Sequence, residues 1–463
     1  MQATPELIRR HPLMIIVLLA IALRLAALLA LPEVFAFERT GVIQGIGTHD
    51  VYAQNLLQTG VYGFEPGEPD GVLPPLYSVF LAAVYAVLSR GALQLVVAQA
   101  LLDTASIALL YRIGRRLWPE EPRVALIGAA LHALYPYLLF QSLTMIDTSL
   151  YISGMYLLLW LLLQLNDASG RDRRHLALLL TAGGVSLCLL LLLRPNIVVL
   201  LPFAGLWLAL RHGWRGSALR LLPVILLGMA LLLPWIARSA GIYGQPVFIA
   251  LHGGRNFWQG NNPCTLPYLR AGYDTQWQHE NFAAGREITS LVQRDALAMQ
   301  VSLDWLRNNP ARIPELLWTK FIVHWSVDIQ PSRNPPVSTA GENVVEECEA
   351  GVIAITTIGA DDPTRVYDES AAARLFRVVH RYAFGGLLLL ALAGLIITRR
   401  RWRELSLLWL ALLSMTLVYV VYHPGTRYRT PTDPLLFLFS ASALLAIWCR
   451  WRARRRSSSS HQG

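Results

Sequence analysis

Long uninterrupted runs of apolar residues are the feature that most constrains how this chain can fold. Several extend over about 17–22 residues, and a helix of that length crosses the bilayer core of ~30 Å. Hydrophobic types make up 54% of the 463 residues and charged types only 15%, whereas a soluble domain carries about 25% charged residues. The sequence therefore predicts an all-α polytopic membrane protein and excludes a water-soluble enzyme or scaffold.

Ten of these runs are predicted to span the membrane. The first follows Arg9 and Arg10 as the core of a signal peptide would, but no small-residue cleavage site comes after it, so it is interpreted as a retained span. The predicted spans are 12–31, 92–111, 122–140, 148–165, 175–193, 196–211, 217–237, 382–398, 405–422 and 433–449.

A further apolar run, residues 73–88, is predicted not to span. The positive-inside rule places arginine-rich loops on the cytoplasmic side of a membrane. If 73–88 spanned, the basic loops at 112–116 and 211–215 would lie outside. If it is instead an interfacial or re-entrant helix, every basic cluster lies inside, so the charge distribution favours that interpretation.

Both termini are then cytoplasmic, and three polar stretches face the outside: residues 32–91, 238–381 and 423–432. The semi-apolar segment 310–326 is placed on the outer surface. The predicted organisation is a transmembrane module at 1–237 with the outer loop 32–91, an outer region at 238–381, C-terminal transmembrane helices at 382–456, and a disordered serine-rich tail at 457–463.

The net charge of +10 arises from 40 Lys+Arg against 30 Asp+Glu. The bases lie beside apolar runs, as in the loops of membrane proteins, so nucleic acid is excluded as a partner. Of the four cysteines, Cys188 and Cys449 lie in or near spans, and Cys264 and Cys348 share the outer region. For the outer two, a disulfide and two separate buried thiols both stay open.

Asp50, in the first outer loop, is the candidate catalytic residue. Residues 48–57 predict an amphipathic helix with Asp50 near its N-terminus. One interpretation is a cap that complements the helix dipole. The other is a general base that takes a proton from an acceptor hydroxyl. Tyr52, two residues on, is a candidate substrate contact.

Charged residues also lie at the outer ends of spans and within them. Asp147 is interpreted either as a substrate-binding residue or as a helix cap. Arg194 lies where positive charge is disfavoured, which favours anion binding over a side chain that merely snorkels to the surface. Arg24 and Asp103 lie inside spans, where they either pair with each other or line a cavity.

The outer turn between the last two spans brings His423, Arg427 and Arg429 together in sequence. The two arginines are predicted to clamp a phosphate, with non-specific binding of anionic lipid headgroups as the alternative. His423 and Lys320 are further candidates for the same anion.

Residues 253–263 contain glycines and an Asn-Pro step that mark tight turns, without the spacing of a nucleotide-binding P-loop. Trp, Asn and Gln are common sugar contacts. Asn256, Trp258 and Asn261 are therefore candidate substrate-binding residues, and a loop that only packs on the core is the alternative.

Four motifs, taken in chain order, resemble the bacterial branch of the dolichyl-phosphate-mannose–protein mannosyltransferase superfamily (family 39), which includes the aminoarabinose transferases. They are His49-Asp50-Val51-Tyr52, Leu73-Pro74-Pro75-Leu76-Tyr77, Leu193-Arg194-Pro195 and Arg427-Tyr428-Arg429-Thr430-Pro431. The arrangement covers nearly the whole chain. It implies a GT-C fold with about ten transmembrane helices and an interfacial helix in the first outer loop.

The resemblance also implies an activity: transfer of a sugar from a polyprenyl-phosphate carrier to an acceptor hydroxyl on the outer face, with inversion and with Asp50 as general base. The leaving phosphate would be stabilised by positive charge from Arg427, Arg429 and Arg194, joined by His423 and Lys320. The family pattern often has a second acidic residue directly beside the first. Here His49 precedes Asp50 and Val51 follows, so the paired carboxylate is absent.

The implied enzyme is a hexosyl- or pentosyltransferase of the bacterial inner membrane with its site facing the periplasm. Its expected partners are the lipid-linked donor, membrane lipids, and a glycan, lipid or protein acceptor. No cofactor is indicated, since no His/Asp/Glu cluster has metal spacing, but a divalent ion, which some GT-C enzymes use, stays open. The alternatives are a transporter or lipid flippase, which predicts two related halves that the sequence does not show, and an O-antigen ligase or polymerase.

Overall fold

The structure is a computed structural model that describes residues 11–30, 47–168, 172–278, 290–332 and 371–459. Its α-helices are α1 (Pro12–Ala30), α2 (Gly47–Thr59), α3 (Leu76–Leu88), α4 (Ala92–Leu117), α5 (Pro122–Leu134), α6 (Pro136–Leu143), α7 (Thr148–Asp167), α8 (Arg173–Leu191), α9 (Leu200–Tyr243), α10 (Gly253–Gly260), α11 (Thr265–Ala271), α12 (Leu291–Asn308), α13 (Ile313–His324), α14 (Ala371–Ile397), α15 (Trp402–Val421), α16 (Thr426–Arg429) and α17 (Asp433–Ser459).

Within these described segments, eight helices are long and apolar enough to cross a membrane, or nine if the bent pair α5–α6 is one span. α5 and α6 meet at 53°, where Pro136 opens the second helix and interrupts the hydrogen-bond ladder of the first. The 44-residue α9 is broken at Gly213, whose φ of 69° and ψ of 169° are not helical. Divided there, the described helices supply the ten predicted spans, and the predicted all-α membrane fold is confirmed.

At one end of the bundle, the basic loops contact each other and the ends of neighbouring helices. Arg116, at the end of α4, pairs with Asp167 at the end of α7 over 2.5 Å. Arg401, just before α15, donates to the carbonyl of Leu117 over 2.5 Å. These loops therefore lie at the same end, as the alternation of spans requires, and it is the end for which the positive-inside rule predicts a cytoplasmic location.

α3 lies across the opposite end of the bundle. Its 13 residues extend ~20 Å, too short for a bilayer core of ~30 Å. The amide of Leu76, at its start, donates to the carbonyl of Leu192 just after α8 over 3.0 Å. Tyr85, in its last turn, reaches Asp50 in α2. The described helix is therefore too short to span, in agreement with the prediction that this apolar run is an interfacial or re-entrant helix.

The short helices α10 to α13 belong to the segment between α9 and α14 that was predicted to face outwards. Leu316, Lys320 and His324 lie four residues apart along α13 and form its buried face. Lys320 donates to the carbonyl of Val421 at the outer end of α15 over 3.0 Å. The semi-apolar segment therefore packs on the end of a span instead of crossing the membrane.

Cys264 is disulfide-bonded, whereas Cys188 and Cys449 are free thiols; Cys348 lies outside the described residues. α17 continues to Ser459, so residues 457–459 of the segment predicted to be a disordered tail are helical, because the last span simply extends into them. Residues 460–463 lie outside the described part of the chain.

A buried charged cluster fixes α1 to the rest of the bundle. Arg24 in α1 pairs with Asp103 in α4 over 2.5 Å, and both side chains are almost fully buried. His132 in α5 contacts the other oxygen of Asp103 at 3.2 Å, and Arg24 also donates to the carbonyls of Ala20 and Ala133. Of the two interpretations left open for Arg24 and Asp103, the structure favours the mutual pair.

We expect Arg24→Met to destabilise the protein by about 3–5 kcal/mol, because it leaves Asp103 ionised and buried without its cation. The measurement is the thermal midpoint of the purified protein in one detergent. The double variant Arg24→Met/Asp103→Leu removes both charges and should recover most of the loss. A single variant as stable as the wild type would contradict a structural role for the pair.

Candidate functional site

Asp50 lies in the first turn of α2 and is buried against α3 and the residues that follow it. Its carboxylate accepts four hydrogen bonds, from Gln54 at 2.9 Å, from the Tyr85 hydroxyl at 2.7 Å, and from Nε and Nη2 of Arg90 at 3.1 and 2.7 Å. A carboxylate offers about four acceptor positions, so Asp50 is saturated. The side chain of Arg90 is 40% exposed, so this ion pair opens to solvent on one side.

Asp147 and Arg194 form a buried bidentate ion pair where α7 begins and α8 has ended. Nε and Nη2 of Arg194 lie 2.6 and 2.5 Å from the two carboxylate oxygens. The Asp147 side chain makes no capping hydrogen bond to α7, so it does not act as a helix cap. Each side chain is only 9% exposed, so Arg194 does not reach out to solvent either.

The ionisation of Asp147 follows from this pairing. Burial alone would raise the pKa of its carboxyl group, but the adjacent Arg194 guanidinium holds that pKa below its ordinary value. Asp147 is therefore a fixed negative charge at neutral pH.

Arg427, on the short helix α16, is a second cation on the same carboxylate. Its Nη2 lies 3.4 Å from Oδ1 of Asp147, and its guanidinium lies 5.5 Å from the ring centre of Tyr428. Its buried Nε has no hydrogen-bond partner among the described residues. Two guanidinium groups thus share one carboxylate, which leaves the cluster of Asp147, Arg194 and Arg427 with one surplus positive charge.

The structure does not bring Arg429 to this cluster, although it is only two residues from Arg427. Arg429 is fully buried, and its Nε lies 2.9 Å from the carboxylate of Asp433 in α17. Its Nη1 donates to the carbonyls of His324 and Ser326 at 3.0 and 2.7 Å. The two arginines therefore do not form the predicted clamp, because Arg429 ties α13 to the start of α17.

Lys320 lies in a second polar group at the outer end of α15. Its Nζ donates to the side-chain oxygen of Asn261 over 2.9 Å and to the carbonyl of Val421. Asn261 itself donates to the Val421 carbonyl over 3.0 Å. Burial lowers the pKa of Lys320 to about 7. The structure joins two of the predicted site residues here, Lys320 and Asn261, around a single backbone carbonyl.

His423 contacts Tyr428, next to the arginine cluster, and the charge of Lys320 in the second group acts on it. Its Nδ1 lies 3.3 Å from the backbone carbonyl of Asn256, and its Nε2 lies 3.1 Å from the hydroxyl of Tyr428, which carries Arg427 on its ring face. Gln276 contacts both His423 and Tyr428. Burial lowers the pKa of His423 to about 4. His423 is therefore a neutral bridge at neutral pH.

Two other predicted contacts lie in packing positions. Tyr52 donates to both carboxylate oxygens of Asp70, at 2.7 and 2.8 Å, within the first outer loop. Trp258 is buried in α10. α10 lies so close to the turn after α15 that a Cβ on Gly260 would come within 1.8 Å of the Tyr422 carbonyl. Tyr52 is therefore bound to Asp70, and Trp258 lies in a helix that packs on this turn.

Several site residues were missed by the sequence reasoning. Arg90 and Tyr85 hold Asp50, yet they lie 40 and 35 positions away in the chain. Gln276 and Tyr428 carry the link through His423. The signal that could have found Arg90 was its position: it is an arginine in a loop assigned to the outside, the same argument that identified Arg194.

No group of three or more His, Cys, Asp or Glu side chains in the described segments could hold a metal ion. The candidate site consists of arginine, lysine, aspartate and aromatic side chains, which hold anions and hydroxyl groups by charge and hydrogen bonding.

Residues 72–237 match the family whose description is dolichyl-phosphate-mannose-protein mannosyltransferase. The matched segment includes Asp147 and Arg194 but neither Asp50 nor Arg427. No curated protein matches the chain significantly over its sequence.

Among solved structures, the chain is similar to the oligosaccharyltransferase of Archaeoglobus fulgidus in its apo form, with a TM-score of 0.53 and 13% identity over 97% of this chain and 52% of that one. The same enzyme, AglB, in complex with an inhibitory peptide and a dolichol-phosphate gives a TM-score of 0.53 and 13% identity over 98% and 52%. Its complex with Zn and sulfate gives 0.53 and 14% over 96% and 50%. The chain thus spans about half the length of these relatives. It has the GT-C fold that the sequence resemblance implied.

Because Arg429 is a structural cation, Arg429→Met should cost about 3–5 kcal/mol by leaving Asp433 buried and unpaired. Arg427→Met is the matched control, since Asp147 keeps Arg194 as its partner, and its loss should be much smaller. Thermal midpoints of the two variants and the wild type in one detergent make the comparison. Equal losses would show that the two arginines do not have separate roles.

Proposed function

We propose that the protein is a membrane glycosyltransferase that moves a hexosyl or pentosyl group from a polyprenyl-phosphate-sugar donor to an acceptor hydroxyl at the outer face of the membrane. The observation that carries the proposal is the surplus positive charge of the buried cluster of Asp147, Arg194 and Arg427. An uncompensated buried cation is costly. An anionic ligand at this point would offset that cost.

The cluster has N–H groups without hydrogen-bond partners that a phosphate diester could occupy. Nη1 of Arg194 and Nε of Arg427 are buried and lack hydrogen-bond partners among the described residues, and guanidinium groups bind phosphate oxygens through such N–H groups. Lys320 is a third basic group, whose charge acts on His423. We therefore propose that Arg427 and Arg194 bind the donor phosphate and that Arg429 does not.

The position of the cluster suits a lipid-linked substrate. Asp147 and Arg194 lie at the ends of spans, and α3 lies across the same end with Val87 and Leu88 exposed. A polyprenyl chain would remain in the outer leaflet while its phosphate reached the arginines. This arrangement supplies a physical reason for an enzyme built within the membrane.

In the proposed reaction the acceptor oxygen attacks the anomeric carbon, the bond from that carbon to the phosphate oxygen breaks, and the hydroxyl proton passes to Asp50. Polyprenyl phosphate leaves with the bonding electron pair, next to Arg427. Asp50 first has to lose one of its four donors. Arg90 is the donor that can leave, because its side chain is partly exposed whereas Tyr85 is buried.

The orientation and compartment are part of the same proposal. The basic loops at the opposite end of the bundle assign the site to the outside. The disulfide-bonded Cys264 lies on the site's side of the membrane, and disulfides persist in oxidising compartments such as the periplasm. We place the protein in a bacterial inner membrane with its site facing the periplasm.

Arg427→Ala should weaken binding of undecaprenyl phosphate by tenfold or more, since a hydrogen bond to a charged group contributes about 1.5–3 kcal/mol. Native mass spectrometry and a titration in detergent would measure the bound fraction. Arg307→Ala is the control, because Arg307 is an exposed outer arginine remote from the cluster. Unchanged binding by Arg427→Ala would contradict the phosphate assignment, and a different specific small ligand would favour a transporter.

Asp50→Asn should lower the rate of sugar transfer by about 10²–10⁴ while leaving polyprenyl-phosphate binding and the thermal midpoint nearly unchanged. The asparagine keeps the size of the side chain and an acceptor for Tyr85, but it cannot take a proton. Release of polyprenyl phosphate from a panel of labelled hexosyl and pentosyl donors measures the rate. Normal turnover by the variant would remove Asp50 as the base.

A further inference from the structure

His49 is a buried histidine beside the arginine cluster that the proposed reaction does not yet use. It precedes Asp50 in α2, and it is only 6% exposed. Its Nδ1 lies 2.8 Å from the Ser78 hydroxyl in α3, and its ring meets Tyr77 edge to face, with the ring centres 5.1 Å apart. These two contacts fix the plane of the imidazole. Its Nε2 has no hydrogen-bond partner within the described segments.

Titratable groups from several segments of the site act on the His49 ring. Asp147 acts from the start of α7, Arg427 from α16, and Arg194 from the residues after α8, with His252 next to α10 as a further contributor. Asp50 follows His49 in α2 but turns to Arg90 and Tyr85. His49 and Asp50 therefore interact with different groups of residues, although they lie in the same turn of α2.

We propose that His49 is a further contact of the donor phosphate and that it takes up a proton when the donor binds. This inference rests on the proposed function, because it assumes that an anion occupies the cluster of Asp147, Arg194 and Arg427. In the proposed state Nδ1 donates to Ser78 and Nε2 donates to a phosphate oxygen. The proton comes from solvent, and no covalent bond of the substrate changes.

The physical argument is a balance of charge. Burial lowers the pKa of His49 against the opposing effect of Asp147, and with the added effect of the two arginines that pKa is about 4. The free protein therefore holds a neutral ring at neutral pH. A bound phosphate adds a negative charge beside Nε2, which stabilises the imidazolium and raises that pKa. Binding and protonation are then linked, so the donor should bind more tightly as the pH falls.

Other groups near the cluster are distinguishable from His49. His423 already has partners on both ring nitrogens. Lys320 has a pKa of about 7, so it is largely protonated at pH 5.5. His252 could imitate His49, because burial also lowers its pKa to about 4, and so could Asp274, a carboxyl group coupled to Arg427 whose pKa is raised by burial.

The test measures protons taken up on binding by isothermal titration calorimetry at about pH 5.5, in buffers that differ in ionisation enthalpy. The probe is undecaprenyl methyl phosphate, a diester with one permanent negative charge, so no proton can come from the ligand itself. We expect uptake of at least about half a proton per bound ligand in the wild type and in His252→Gln. His49→Gln should bind the probe with almost no uptake. If the thermal midpoint of His49→Gln shows that this variant is misfolded, His49→Asn is used in its place.

Binding without proton uptake in the wild type would overturn this inference and leave the proposed function intact. Uptake that persists in His49→Gln, or that disappears in His252→Gln, would also overturn it. A wild-type protein that does not bind the diester would overturn the donor site itself. Ser78→Ala should lower the uptake while keeping the imidazole, because the imidazolium then loses the acceptor of its Nδ1 proton.

Discussion

The bidentate pair between Asp147 and Arg194 is the interaction on which the outer end of this protein depends. It joins segments 47 positions apart in the chain, and Arg427 approaches the same carboxylate from 280 positions away. Burying an ion pair is costly unless the geometry is good and the remaining donors are satisfied. The geometry is good, since two nitrogens of Arg194 lie 2.6 and 2.5 Å from the carboxylate oxygens of Asp147. The donors are satisfied only in part, since Nη1 of Arg194 has no hydrogen-bond partner among the described residues. The pair holds both side chains in fixed positions, which is what a preorganised binding site requires.

The two arginines of α16 show how a short helix can divide two tasks. Residues two positions apart on a helix point about 200° apart, so Arg427 and Arg429 cannot both face one ligand while that turn is helical. Arg429 turns inwards to Asp433 and to the end of α13, and this contact holds the turn in place. Arg427 is then presented to Asp147 on a fixed backbone. The buried arginine therefore positions the one assigned to the donor phosphate in the proposed function, although the sequence motif does not distinguish them.

The spans and the interfacial helix were predictable from the sequence because apolar length and the placement of arginine are local properties. The contacts of the site were not, since Asp50 and Arg90 lie 40 positions apart and neither motif names the other. Arg194 was identified from its unusual side of the membrane, and the same argument would have selected Arg90. The helical turn that separates Arg427 from Arg429 was not apparent, because a four-residue helix between two spans leaves no apolar period to detect.

Asp50 has all its acceptor positions filled, whereas the cluster of Asp147, Arg194 and Arg427 carries one surplus positive charge. This asymmetry implies an order of events in the proposed reaction. The surplus charge at Arg427 exists before any substrate arrives, so the anionic donor can bind to the site as it stands. In the proposed reaction Asp50 can act as a base only after Arg90 has moved. In the resting structure Arg90 stays bound to Asp50. An acceptor that entered first would meet a carboxylate with no acceptor position left. Donor binding followed by displacement of Arg90 is therefore the order that the resting structure favours for the proposed reaction, and it keeps Asp50 hydrogen-bonded until Arg90 has moved.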